Sequence, residues 1–245
     1  AASDVYKRQI ITFIEERIIS QAALITTVSK NLASELNRRY HIEPIIIYNG
    51  YFDDIQLSNN FPIEKTDHSQ IIIGYCGSLY NGLRPINIIF PVLKKFTKLK
   101  LHIAIFDEID YDYVDKLVKE FNLAKQVNIY RNLTHEQSLW FQRRCDILLF
   151  LNKLDGSWKG AITAKLFEYI SAKKYILGIG HPEDEAAEII NYLQIGSYVN
   201  STEQIINLFQ NVNQLKYSSV SDISFFSRRN QTKILADKIC NLLKP

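Results

Sequence analysis

The stretch from Asp146 to Ile179, DILLFLNKLDGSWKGAITAKLFEYISAKKYILGI, decides the fold. It opens on Asp146-Ile-Leu-Leu-Phe-Leu151, in which an unbroken apolar run of strand length follows the aspartate. A strand that is apolar on both faces belongs in a sheet covered on both sides. A loop bearing Gly156 and Gly160 follows. Residues 161–172 then carry apolar side chains at helical spacing, and residues 175–179 are a second apolar run. Strand, loop, helix and strand in that order make one parallel βαβ unit.

The same alternation extends outward. Upstream, residues 71–76 read as a strand ending at Gly77, and 85–98 as a helix bent by Pro91, which removes an internal hydrogen bond. Residues 101–106 and 127–130 read as strands around a helix over 111–121. Thr134-His-Glu-Gln137 is a capping box opening a helix to about Arg144. Downstream, a helix is predicted over 183–192. Ser201-Thr-Glu-Gln204 is a second capping box opening a helix to about Gln214, and a closing helix runs from about Phe225 to Leu243. These units assemble into an α/β, doubly wound, Rossmann-like domain with a mostly parallel sheet. Before residue 40 there is one strand–helix unit, a strand over 23–28 and a helix capped by Ser29. It is too small to fold alone and reads as the tail of a second α/β domain. A strand over 45–48 runs into the turn Asn49-Gly50, and residues 51–69 are polar, without periodicity, and read as a linker.

Composition sets limits. At 47% apolar the 245 residues bury enough surface to exclude disorder, and 9 Gly with 6 Pro exclude a collagen-like chain. Cys76, Cys145 and Cys240 are too few and scattered for a disulfide or zinc framework, which suits a reducing cytosol. A net charge of +3 argues for no polyanionic partner, nucleic acid included. No apolar run approaches the roughly 20 residues that span a bilayer, and the first residues lack the apolar region of a secretory signal. The sequence has no methionine, and Asp4-Val-Tyr-Lys-Arg-Gln9 looks like a translated sequencing-library adaptor. Residues 1–9 are therefore expected to be an artefact, with the natural sequence beginning near Ile10 and its upstream part missing.

Ligands of an open parallel sheet bind beyond the carboxyl ends of its strands. Two loops lie there. Gly77-Ser-Leu-Tyr-Asn-Gly-Leu-Arg84 offers close backbone approach at Gly77 and a planar phosphate-binding fork at Arg84, but no dinucleotide fingerprint. It reads equally as a phosphate site or an ordinary turn. The loop over 155–163 feeds a helix whose N-terminal amides favour an anion. Lys165 and Glu168, three apart, share one face of that helix. They read either as a surface ion pair or as a phosphate-binding lysine beside a carboxylate that accepts from a diol. Elsewhere, His181 reads as part of a solvated loop, His102 as structural, and Cys76 as a buried strand residue. The sequons at Asn132, Asn200 and Asn230 read as chance. Lys94, Lys95, Lys98 and Lys100 form a basic edge, a solvated face or a membrane-surface contact.

Thr163-Ala-Lys-Leu-Phe-Glu-Tyr-Ile-Ser-Ala-Lys-Lys-Tyr-Ile-Leu177 closely resembles the signature stretch of glycosyltransferase family 4. Ile73-Gly-Tyr-Cys-Gly-Ser-Leu79 is similar to that family's first strand and glycine turn in the donor-binding domain. Thr27-Val-Ser29 and Ile47-Tyr-Asn-Gly50 are similar to its last N-domain strand and interdomain crossover, and Phe226-Ser-Arg228 to the start of its terminal helix, so the resemblance spans about residues 20–243. It implies a GT-B fold: residues 10–42 the remnant of an acceptor domain, 43–69 a linker, 70–222 a complete donor-nucleotide domain, and 223–245 a helix crossing back. It implies transfer of a sugar from a nucleotide-diphosphate sugar to a saccharide or lipid-linked acceptor in surface polysaccharide assembly, with retention and without a metal. The work would be cytoplasmic or at the inner membrane face. Glu168 would accept from the ribose hydroxyls. Gly77 and Ser78 would lie near the diphosphate, Arg84 and Lys165 would act on it as it leaves, and Asn132 and Leu133 would flank the base. Backbone groups of Gly160, Ala161 and Thr163 would face the diphosphate or sugar. The family often has a glutamate where this chain has Gly160, and Arg84 is displaced from the family's basic position. These departures bear on direct sugar contact and donor identity. Two other readings stand beside the transferase: a GT-B sugar-nucleotide epimerase or hydrolase, and a non-catalytic nucleotide-binding module, for which the missing glutamate at 160 argues.

Overall fold

A computed structural model describes residues 2–53, 70–218 and 222–244. Six strands form one parallel sheet: β3 (Ile71–Cys76), β4 (Leu99–Ile105), β5 (Val127–Arg131), β6 (Ile147–Leu151), β7 (Tyr175–Ile179) and β8 (Gly196–Val199). They lie in the order β5-β4-β3-β6-β7-β8. The chain winds outward from β3, then returns to place β6 on the other side of β3. Loops leaving β3 and β6 therefore diverge, and a crevice opens at their carboxyl ends.

The strand period of two sorts side chains onto the two faces. Ile73, Tyr75, Leu101, Ile103, Leu149 and Leu177 are buried against α3 (Phe90–Lys95), α4 (Glu108–Phe121) and α8 (Thr202–Gln210). Their neighbours Ile72, Cys76, Leu148, Phe150 and Ile176 are buried against α5 (His135–Arg144), α6 (Ala164–Ala172) and α7 (Glu185–Leu193). Each face thus has its own core.

Preceding the sheet are α1 (Ala2–Gln21), β1 (Thr26–Thr27), α2 (Lys30–Tyr40) and β2 (Ile45–Ile46), with β1 and β2 paired in parallel. Ser29 caps α2, its hydroxyl accepting from Leu32 N. The Glu185 carboxylate, fully buried at the start of α7, accepts from Lys30 N at 2.9 Å and Asn31 N at 3.1 Å. It also accepts from the Tyr48 hydroxyl at 3.0 Å. One carboxylate therefore satisfies the first free amides of α2, where the helix dipole favours negative charge. The closing helix α9 (Arg228–Leu242) returns to the same region, where Gln231 accepts from Tyr48 N.

Some elements differ from the sequence reading. Pro91 lies in the first turn of α3, following a 3-10 turn over Ile86–Ile89, so it starts an α-helix where a bend was expected. The strand expected over 23–28 shrinks to β1, and α6 begins at Ala164 where 161 was expected. β8 and α1 were not anticipated. The second capping box is half formed: Ser201 accepts from Gln204 N, but Gln204 accepts from Asn200 N. The Thr134–Gln137 box is complete. Most of the expected linker, residues 54–69, lies outside the described residues. No helix among the described residues is long and apolar enough to cross a membrane.

Candidate functional site at the sheet crevice

The loop after β3 is built from left-handed positions, with φ of +136° at Gly77, +52° at Tyr80 and Asn81, and +83° at Gly82. A β-carbon on residue 77 would collide with the Lys165 ammonium. Gly77 is therefore the space into which α6 extends its lysine. Arg84, 6% exposed, folds back under the same loop. Its Nη1 donates to the Ser78 carbonyl at 2.9 Å and the Tyr75 hydroxyl at 3.3 Å. Its Nε is buried with no hydrogen-bond partner among the described residues. A guanidinium in that state can still gain an acceptor. The guanidinium carbon stands 5.0 Å from the Tyr80 ring centroid and 6.0 Å from that of Trp158.

Lys165 is the half-buried cation of the pair. Burial, and after it the nearby Arg84, hold its ammonium below the ordinary lysine range. An anion placed between the two would relieve both effects. The Thr163 hydroxyl, at the N-cap of α6, makes no cap hydrogen bond, and the first-turn amides of α6 follow it. Cys76, next to Gly77, has its thiol pushed up by burial, which fits an inert core residue.

One helical turn past Lys165, Glu168 is held from two sides. Gln142 Nε2 donates to one carboxylate oxygen at 2.9 Å, and His135 Nε2 faces the other at 3.2 Å. Gln142 Oε1 is buried without a partner among the described residues. A shallow cleft runs along this face, with Glu168, His135, Gln142, Arg143 and Arg228 in its lining. Glu168 is thus no simple surface partner of Lys165.

The structure gathers Gly77, Ser78, Arg84 and Lys165 at the crevice and sets Glu168 beside them. Asn132, exposed and left-handed at φ +55°, opens the loop after β5, while Leu133 is buried in the core. Gly160 lies against α2, where a β-carbon would meet Asn31 Cβ at 2.8 Å. Its backbone and that of Ala161 form a tight turn, Ala161 N donating to Trp158 O and Ile162 N to Gly160 O. Two amides that follow Gly77 are committed within the fold: Leu79 N and Asn81 N donate to the Asp110 carboxylate. Sequence reasoning passed over Asp110, Gln142 and the Tyr80–Trp158 ring pair, whose centroids are 5.7 Å apart. Only the first-turn acid of a helix could have drawn attention to Asp110.

Solved structures share this arrangement of chain. HepE of Anabaena, in complex with UDP and glucose, superposes with a TM-score of 0.65 at 14% identity, over 90% of this chain and 64% of its own. The lipopolysaccharide outer core galactosyltransferase WaaB gives 0.67 at 16% identity, over 92% and 64%. The fold is GT-B. Sucrose-phosphate synthase from Thermosynechococcus elongatus, at 0.63 and 12% identity over 94% and 60%, has it too. The chain spans less than two thirds of the length of each of these proteins. No protein-family model and no curated protein matches the sequence. In GT-B terms, the six-stranded sheet corresponds to one Rossmann-like domain.

Proposed function

We propose that the chain is the donor-binding part of a glycosyltransferase of the family 4 kind, taking a sugar from a nucleotide-diphosphate sugar. The observation that carries this reading is the pairing of Lys165 with Gly77 and Arg84 at the crevice, with Glu168 one turn beyond. Two cations that contact no carboxylate among the described residues suit a diphosphate, and a carboxylate one turn away suits a ribose diol. GT-B neighbours solved with UDP support it.

In the proposed reaction the bond between sugar C1 and the β-phosphate oxygen breaks. A bond forms from C1 to the oxygen of a saccharide or lipid-linked acceptor, whose hydroxyl proton is released. Negative charge collects on the departing diphosphate, so groups aimed at it stabilise the transition state more than the ground state. Arg84, through its uncommitted Nε, Lys165 and the N-terminus of α6 fill that role without a metal. Glu168 accepts from the ribose hydroxyls, and Asn132 with the backbone at Leu133 borders the base. Backbone groups of Ala161 and the Thr163 hydroxyl lie on the phosphate side. With glycine at 160, no side chain from that position reads the sugar.

Calorimetric titration with UDP, GDP and ADP tests the reading. Saturable binding of one of them, competed by the matching nucleotide sugar, is expected. Absence of binding by all three in the folded chain contradicts it.

A further inference from the structure

The loop after β3 curls through left-handed residues, and such turns aim successive amides into one concavity that suits an anion. In this chain the concavity is filled from within. Asp110, 1% exposed in the first turn of α4, places Oδ2 2.6 Å from Leu79 N and 2.8 Å from Ser78 Oγ. Its Oδ1 lies 2.8 Å from Asn81 N. Register explains why it reaches: β4 pairs with β3 along its whole length, so the helix leaving β4 starts directly beside the loop leaving β3. A buried carboxylate with three donors is a fixed anchor, since removing it would strand those donors.

The anchor sets the cations. With Ser78 and Leu79 held by Asp110, the Ser78 carbonyl accepts from Arg84 Nη1 and from the Tyr75 hydroxyl. That pins the guanidinium beneath the loop and leaves Nε uncommitted. We infer that Asp110 is a positioning residue for the diphosphate end of the site. Its carboxylate occupies the amide concavity, so a bound diphosphate is met by Arg84 and Lys165 and not by the loop amides. This rests on the nucleotide-sugar reading above.

The test compares Asp110→Asn with the unmodified chain, titrating UDP, inorganic pyrophosphate and uridine. Asparagine turns one acceptor into a donor facing an amide, so the loop loses its anchor. UDP and pyrophosphate should weaken about tenfold or more while uridine changes less than twofold. Asp107→Asn is the control: among the described residues the exposed Asp107 carboxylate meets only the Ser78 hydroxyl, and its change should leave all three unaltered. Equal weakening of uridine and pyrophosphate would overturn the inference by making Asp110 a general structural residue. A folded Asp110→Asn chain binding pyrophosphate as before would overturn it too. Should that variant fail to fold, Ser78→Ala, which removes one of the three donors, should weaken pyrophosphate about threefold, and no change there overturns the inference. If the unmodified chain binds neither UDP nor pyrophosphate, the nucleotide-sugar reading itself falls and takes the inference with it.

Discussion

Lys165 and Gly77 face each other so closely that a β-carbon on residue 77 would fall within the lysine's ammonium group. Two elements distant in sequence, the loop after β3 and the helix after β6, thereby place a cation at the point where the sheet order reverses. Glycine is required twice at 77, for the space and for its φ of +136°. Gly77→Ala should cost more than about 1 kcal/mol in urea unfolding. It should also push Lys165 aside and weaken UDP binding about tenfold. An unchanged affinity in the folded variant would remove Lys165 from the phosphate.

Lys165 also predicts a pH dependence. Its ammonium is held below the ordinary lysine range by burial and by Arg84, and a bound diphosphate stabilises the charged form. UDP affinity should therefore fall as pH rises through the free-protein pKa of Lys165, with protons taken up on binding. Calorimetry in buffers of different ionisation enthalpy measures that uptake. Lys165→Arg, which stays charged, should flatten the profile.

His102 predicts an acid sensitivity unrelated to the site. Asn128 Nδ2 donates to its Nε2, so Nδ1 carries the hydrogen and donates to the Tyr130 hydroxyl. Burial, with Lys100 adding, lowers its pKa from 6.5 to about 4. The unfolded chain binds the proton first. Its contribution to stability is thus complete above pH 6.5 and is lost as pH falls toward 4. The melting temperature of His102→Gln should fall less between pH 7 and 4.5 than that of the unmodified chain.

Glu185 ties the start of α2 and Tyr48 to the domain of the six-stranded sheet. Glu185→Gln would turn an amide donor toward the N-terminal amides of α2, a cost of about 1–3 kcal/mol. Urea unfolding should show that loss, and limited proteolysis should cut near α2 first. Equal stability and protection would mean that the carboxylate does not hold the two parts together.

Much of this was legible because it is local. The bounds of β7 were read to the residue, as apolar periodicity and flanking residues set them, and the Thr134 box was read from four residues. β8 escaped because Gly196-Ser-Tyr-Val199 is short, half-buried and without alternation. Lys165 and Glu168 were legible through a helical face and a resemblance. Asp110 was not, since its partners lie 29 to 32 positions away and depend on the pairing of β3 with β4. Gln142, 26 positions from Glu168, was hidden for the same reason.

The central claim is that Glu168 and the Lys165–Arg84 pair bind one nucleoside diphosphate. Titrating the preferred diphosphate and its 2′-deoxy form into the unmodified chain and Glu168→Ala tests it most directly. The unmodified chain should prefer the ribose form. The variant should bind that form about tenfold more weakly, roughly 1.4 kcal/mol, and no longer distinguish the two. A variant that binds as tightly and still discriminates would contradict the account.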